Sequence, residues 1–275
     1  LYTAVTPSSR GGFWLIGARG EIERLGLDGV VEPVTDGPHD AMGKGGIPNA
    51  AVEDRKGRLW IATSRNNLVR IDPSGIWRDW TVDTPEPVLG GEPDRMVIAP
   101  DGTLWISYLT QGLQQRDTDS GQVLASILVG TQQGIGSGDL DSMAFAPDGV
   151  LWIASGQGLL RRDAAGNIMR PVPGLPADRV FGFVFESASS LWLQRLNGLE
   201  HYTLDSRGRW QLESRAGVED GIPAVEGTGL FRDRGGKIWL PTSRGLFRWD
   251  PLRRHLRRFG VQDGMSSQEF LRRTS

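Results

Sequence analysis

The sequence predicts an all-β chain of four-stranded antiparallel units set in series, and three observations carry that reading. A Gly-x-Leu-Trp-Ile core recurs, as Gly57-Arg58-Leu59-Trp60-Ile61 and Gly102-Thr103-Leu104-Trp105-Ile106. Its tryptophans Trp14, Trp60, Trp105, Trp152, Trp192 and Trp239 fall 46, 45, 47, 40 and 47 residues apart, the period of stacked supersecondary units. With 38 glycines, 16 prolines and 38% hydrophobic residues, the composition suits short strands and tight turns better than long helices.

Each unit opens on a linker such as Gly46-Ile47-Pro48, Gly174-Leu175-Pro176 or Gly221-Ile222-Pro223. A first strand follows, as in Ala50-Ala51-Val52-Glu53 or Met143-Ala144-Phe145, whose neutral residues predict burial on both faces. Asp101-Gly102 and Asp148-Gly149 then reverse the chain, because glycine accepts the positive φ of a two-residue hairpin turn. The second strand carries the tryptophan, where β-branched and aromatic residues fit a pleated buried surface. A short loop ending in Gly-Leu starts the third strand at Gly112-Leu113, Gly158-Leu159, Gly198-Leu199 and Gly245-Leu246. In the second unit Asn67 stands in the glycine's place, as the next best left-handed residue. Hairpins such as Asp72-Pro73-Ser74-Gly75 and Asp205-Ser206-Arg207-Gly208 lead to a more polar fourth strand.

One such meander cannot bury both faces alone. A ring of twisted sheets buries each on a neighbour and leaves only short edges, so the expected fold is a β-propeller over residues 1–275. The tryptophans belong between blades. Burying about 200 Å² of indole at ~25 cal/mol per Å² is worth at most about 5 kcal/mol, and Trp to Ala should cost roughly 3 to 5 kcal/mol. Leu1 to Pro7 reads as a first strand and Gln268 to Arg273 as another with nothing after it. The chain therefore reads as six full repeats plus one strand of a further blade, part of a six- or seven-bladed ring.

The net charge is -2, from 31 basic and 33 acidic residues without long blocks, which argues against a nucleic-acid binder. The one basic run, Arg253-Arg254-His255-Leu256-Arg257-Arg258, reads as a solvated strand and turn. No cysteine is present, which removes disulfides, thiol catalysis and thiolate metal sites. No apolar run approaches the ~20 residues of a membrane span. The start at Leu1-Tyr2, without Met or signal peptide, reads as a piece of a longer precursor.

The consensus from Gly46-Ile47-Pro48 through Asp54-Arg55-Lys56-Gly57-Arg58-Leu59-Trp60-Ile61-Ala62-Thr63 to Leu68-Val69-Arg70-Ile71-Asp72 resembles the two-component regulator propeller repeat. It returns from Asp233 to Asp250, and the closing stretch from Phe259 to Phe270 is similar to a segment late in that family's propeller arrays. The fifth unit departs from the pattern, with a spacing of 40 and Glu186-Ser187-Ala188-Ser189-Ser190 in place of the Asp-Gly turn. The resemblance implies the periplasmic sensing part of a bacterial membrane receptor, homodimeric in the full protein. Its output would be a histidine kinase, often a hybrid, or a diguanylate cyclase, and the membrane would be met only through a span outside these residues. In some members of the family the cue is a polysaccharide breakdown product, so the expected partner is a small molecule or oligosaccharide.

In a propeller the loops from fourth to first strand and from second to third strand share one face. The first set carries His39, Asp40, Lys44, Asp94, Arg95, Asp139, Asp141, Asp178, Arg179, Glu219, Asp220 and Asp263, and the second Arg19, Arg65, Asn66, Tyr108, Gln111, Gln157, Arg195, Asn197 and Arg244. Five past each tryptophan stand Arg19, Arg65, Thr110, Gln157, Asn197 and Arg244. Arginine's planar fork suits carboxylates, so these residues are candidates for binding an acidic sugar or another small anion. The alternative is that they are turn residues paired with aspartates of the other loop set. Tyr2, Tyr108 and Trp249 are candidates for stacking on a sugar ring, Tyr108 the best placed.

A propeller hydrolase or lactonase, or a lyase, is the alternative from a different class, and a protein-binding scaffold a third. A metal site of the lactonase kind needs oxygen ligands converging on the innermost strands, yet Ala51-Val52, Val97-Ile98, Ala144-Phe145, Phe183-Val184 and Gly229-Leu230 supply almost none. A lyase needs a base of tuned pKa, but His39, His201 and His255 fall in different contexts, the last two on third or fourth strands. A scaffold would want an apolar loop face, and here it is polar. No catalytic residue, metal or cofactor is therefore expected.

Overall fold

The structure, a computed structural model, describes residues 2–35, 46–80, 89–136 and 139–263. These hold 24 strands in six four-stranded antiparallel blades, and the chain divides into two compact units at Gly138/Asp139.

The first unit contains three blades. Blade 1 is β1 (Tyr2–Pro7), β2 (Phe13–Gly17), β3 (Ile22–Leu25) and β4 (Val31–Thr35). Blade 2 is β5 (Pro48–Glu53), β6 (Leu59–Thr63), β7 (Leu68–Ile71) and β8 (Trp77–Asp79), and blade 3 is β9 (Pro93–Ile98), β10 (Leu104–Tyr108), β11 (Gly112–Arg116) and β12 (Val123–Leu128). Its cores lie between blades. Ala4, Trp14, Ile16 and Ile22 pack with Leu59, Ile61, Val69 and Ile71. On the other side of blade 2, Trp60, Ala62 and Leu68 pack with Met96, Leu104, Ile106 and Tyr108.

The second unit repeats the scheme. Blade 4 is β13 (Leu140–Phe145), β14 (Leu151–Ser155), β15 (Gly158–Asp163) and β16 (Ile168–Pro171). Blade 5 is β17 (Gly182–Ser187), β18 (Ser190–Arg195), β19 (Gly198–Leu204) and β20 (Trp210–Ala216), and blade 6 is β21 (Phe231–Arg232), β22 (Ile238–Thr242), β23 (Gly245–Asp250) and β24 (His255–Phe259). Trp152 packs with Phe183, Leu191 and Leu193, and Trp192 with Leu230, Ile238 and Leu240. Within each unit the tryptophan side of a blade thus meets the Leu/Ile side of the next. Trp14 and Trp239 are only half-buried, whereas the other four repeat tryptophans are buried.

Register explains the consensus. In blade 2 the carboxylate of Asp54 accepts from the backbone N–H of Lys56 and of Arg58 at 2.9 and 3.0 Å. It also accepts from Arg58 Nε at 2.6 Å and from the Trp60 indole at 2.9 Å. Asp233 does the same for Trp239 at 2.8 Å. The Gly-Leu glycines have an equally specific cause. Gly112, Gly158 and Gly198 hold φ of 122°, 94° and 127°, and a Cβ there would sit 2.0 to 2.2 Å from a carbonyl oxygen of the adjoining chain.

Several expectations need correction. The left-handed residue in the turn of blade 2 is Asn66, at φ 65°, and not Asn67, so Asn66 is occupied by turn geometry. The first strand of blade 6 is two residues, Phe231–Arg232, one step beyond Gly229-Leu230. Blade 5 keeps its hairpin despite the serine turn, with Ser187 opposite Ser190. The basic run is strand and turn as expected, Arg254 reaching Asp220 at 2.7 Å and Arg257 reaching Asp263 at 3.1 Å. His39, Asp40, Lys44 and the expected strand Gln268 to Arg273 lie outside the described residues.

Candidate functional site

The two loop sets meet at one end of the blades. Ser64 N–H donates to the Ile47 carbonyl at 2.8 Å and Leu109 N–H to that of Glu92 at 2.9 Å. Gly156 N–H reaches the Asp139 carbonyl at 3.2 Å and Val180 N–H that of Ser155 at 3.1 Å. Strand registry fixes these contacts, because each ties the end of a second strand to the entry of a first strand.

In the first unit the candidates serve the fold in different ways. Asn66 Nδ2 donates to the Leu89 carbonyl at 2.7 Å. Asp94 is buried beside Arg95, their charged groups 3.7 Å apart. Arg19, Arg65 and Gln111 are exposed in turns. Tyr108 is 1% exposed, packed in the core between blades 2 and 3, and so is no platform for a sugar ring. Burial pushes its phenol up to about 12, with Arg116 pulling the other way. Trp249 is equally buried, and Tyr2 is exposed but held by Glu23.

The second unit gathers its candidates. Asp178, Arg179, Arg195 and Asn197 line one cleft of about 670 Å³ with Phe181, Glu200, Arg215, Glu219 and Glu226. Arg179 forks onto buried Asp141, Nε and Nη2 each 3.1 Å from a carboxylate oxygen. That contact raises the guanidinium further above its ordinary pKa against the opposing effect of burial. Arg195 bonds Asp178 through Nη2 and Glu200 through Nη1 at 3.3 Å. Glu200 also takes Arg215 Nε at 3.2 Å and the Tyr202 hydroxyl at 2.8 Å. Gln157 and Arg244 stand apart. Gln157 N–H bonds Ser155 Oγ at 3.1 Å, and Arg244 borders a shallow cavity with Leu256 and Arg258.

Each arginine at the cleft therefore has a carboxylate partner inside the protein, as the paired-turn alternative expects. Desolvating an unpaired ion is costly, so such pairing stabilises the wall. An incoming anion must compete with Asp178, Asp141 or Glu200 for the guanidinium forks. Hydroxyls, which donate and accept at once, fit a wall of mixed charge without displacing them. Sequence reasoning missed Glu200 and Arg215. Their signal was cross-strand, since Glu200 and Arg215 stand directly opposite on β19 and β20. Glu219, a loop candidate from the sequence, lines the cleft too, as does Glu226 in the same linker into blade 6, which the sequence reading passed over. Among the described residues no group of three or more His, Asp or Glu is arranged to hold a metal ion.

No family model and no curated protein sequence matches the chain. Solved structures do. Virginiamycin B lyase from Staphylococcus aureus aligns at TM-score 0.66 and 17% identity over 94% of this chain and 83% of the enzyme. The extracellular domain of a protein named as the one-component system BT4673, from B. thetaiotaomicron, aligns at TM-score 0.70 and 15% identity over 98% of this chain. This chain spans only 34% of that domain. The extracellular domain of BT3049, named as a hybrid two-component system of the same organism, aligns at 0.60 and 17% identity, over 76% of this chain and 29% of that one. At such identities the likeness gives the fold alone, a β-propeller, a fold that carries an enzyme in one of these neighbours and receptor extracellular domains in the others. No helix among the described residues is long and apolar enough to cross a membrane.

Proposed function

We propose that this chain is a ligand-binding sensor module on the extracytoplasmic side of a membrane receptor, and that its cue is a saccharide seated in the cleft of the second unit. The observation that carries the reading is the wall made by Arg179–Asp141 and Asp178–Arg195–Glu200–Arg215, a grid of fixed donors and acceptors around about 670 Å³. Preformed polar groups in a concave site of that size orient a small ligand without chemistry. The fold it shares with receptor extracellular domains and the repeat consensus support the receptor context, with a kinase or cyclase output and a homodimer as the finer proposal.

The cue is polyhydroxylated rather than strongly anionic, because the arginine forks are engaged by the protein's own carboxylates. Turnover is not part of the reading: the cleft's Asp178 and Glu200 carboxylates are engaged by Arg195 and Arg215. A thermal-shift screen of neutral and acidic oligosaccharides tests it, ligand at 100 times Kd adding about 2.7 kcal/mol of stability. Neutral oligosaccharides should raise Tm and the Arg195→Ala variant should lose the shift. A panel that leaves Tm unmoved, or one in which the purified chain opens a lactone ring, would refute the assignment.

A further inference from the structure

A second cavity of the second unit, of about 530 Å³, opens between blades 5 and 6. The β21–β22 and β23–β24 turns border it, so it belongs to the end of the strands opposite the cleft, although Arg215 on β20 touches both. The joint of blades 2 and 3 shows why the space is there, because in that joint the same place is filled. Arg58, two residues before Trp60, reaches Asp119 in the β11–β12 turn at 2.6 Å. Arg70, opposite Trp60 on β7, lies over that indole and donates to the Thr118 carbonyl at 3.1 Å. In blade 5, Ser190 stands two residues before Trp192 and His201 stands opposite it. Both are shorter than arginine and bond within their own blade. His201 stacks on the Trp192 ring at 4.4 Å, with Ser190 Oγ 2.7 Å from its Nε2. The neighbouring turn changes as well. Asp117 and Asp250 cap their turns alike, each accepting from the N–H two residues on, but that residue is Asp119 in blade 3 and Leu252 in blade 6. The carboxylate that closes the first joint is therefore missing from the second.

Charge decides what the space takes. Its cations are Arg215, Arg232, Arg234, Lys237 and Arg254, against the carboxylates of Glu186 and Glu213. Five against two draws an anion, whereas the cleft sets three cations against four carboxylates. Both carboxylates already have partners. Glu186 takes Arg232 at 2.9 Å and lies 3.2 Å from His201 Nε2, and Glu213 lies 3.4 Å from His201 Nδ1. Lys237 and Arg254 each hold one carboxylate outside the lining, Asp250 and Asp220, at 2.7 Å. Arg234 is exposed and has no carboxylate partner among the described residues. We infer that this cavity binds a small multivalent oxyanion, a phosphate ester or a polycarboxylate, in the place that Asp119 fills at the joint of blades 2 and 3. The site is separate from the cleft and does not depend on the saccharide proposed there.

Isothermal titration with inorganic phosphate and with citrate, at one low ionic strength set by chloride, tests this. One saturable site per chain is expected. Binding of phosphate alone assigns a phosphate ester and binding of citrate alone a polycarboxylate, and either supports the proposal. Leu252→Asp restores the carboxylate that closes the other joint, and Arg234→Ala removes the cation without an internal partner. Both positions are exposed, Leu252 by 91%, so the fold should survive, as circular dichroism will check. Each change should weaken the anion about threefold or more, the scale of a screened surface charge. Arg170→Ala, at an exposed arginine of blade 4 paired with Asp163, should leave binding unchanged. No saturable binding of either anion overturns the proposal, and so does binding that both cavity variants leave intact. Equal weakening by Arg170→Ala also overturns it, because diffuse charge is then the cause. Displacement of the anion by a neutral oligosaccharide does the same, since the anion then sits in the cleft.

Discussion

Trp60 Nε1 donates to Asp54 Oδ2 at 2.9 Å, and the same carboxylate takes Arg58 Nε at 2.6 Å. One buried side chain thereby fastens the hairpin between β5 and β6, the indole between blades 2 and 3, and a cation that continues to Asp119 at 2.6 Å. Removing it leaves the guanidinium short of a partner and the indole N–H unbonded. Asp54→Ala should cost about 3 kcal/mol or more by urea denaturation. A loss under about 1 kcal/mol would show that the carboxylate is incidental to the repeat.

Gly198 starts β19 at the edge of the cleft, with φ 127° and the Ala216 carbonyl 2.2 Å from where a Cβ would lie. Gly198→Ala should therefore destabilise by about 2 to 4 kcal/mol, from backbone strain together with a clash against β20. Gly208→Ala, at φ 73° with open space around it, should cost only about 1 kcal/mol. Paired melting curves decide it, and equal costs would remove the steric account of the Gly-Leu motif.

Acid sensitivity should trace in part to Glu53. Burial raises its pKa, but donation from Ser9 and the Trp14 indole outweighs that and leaves the carboxyl below its ordinary value. A carboxylate depressed on folding contributes stability that is whole above its unfolded pKa, about 4.3, and is lost as pH falls through the native value. Stability measured from pH 7 down to pH 3 should fall less steeply in Glu53→Gln than in the parent chain.

At high pH the sign reverses. Tyr108 keeps its proton in the folded state up to about 12, while the unfolded chain releases it near pH 10. Between those values the unfolded state gains from ionisation, so stability should fall by up to about 1.4 kcal/mol per pH unit from this group. Tyr108→Phe should flatten the alkaline limb of the denaturation profile. An unchanged limb would place the loss elsewhere.

At the cleft, Arg195→Ala should weaken an oligosaccharide at least tenfold, about 1.4 kcal/mol, whereas Gln157→Ala should leave affinity unchanged. Isothermal titration of both variants with one saccharide found by the screen separates them. Equal losses would argue that the ligand sits elsewhere on the loop face.

Much of the fold was legible because it is periodic. Tryptophan strands, Asp-Gly turns and Gly-Leu starts recur in phase, and each answers to one local cause such as a carboxylate clamp or a crowded carbonyl. The second aromatic layer was not legible. Trp80 lies 5.5 Å from Trp60 and Trp210 lies 6.1 Å from Trp152, one partner from the same blade and the other from the next. Such pairs break the period and leave no repeating signal. The site was half legible for the same reason. Asp178, Arg179, Arg195 and Asn197 stood out as turn residues, but Glu200 and Arg215 lie on strands and meet only through register. Tyr108 misled because the end of a strand beside a turn can still point inward.

The alternation of a tryptophan side with a Leu/Ile side gives every joint within a unit a polarity. Whole repeats can be gained or lost during evolution without disturbing the rest, because the new joints have the same handed partners as the old. Half a repeat cannot, since two strands supply neither a whole tryptophan side nor a whole Leu/Ile side to cover a neighbour. Length variation in relatives of this chain should therefore come in steps of about 45 residues, and shorter insertions should be confined to loops.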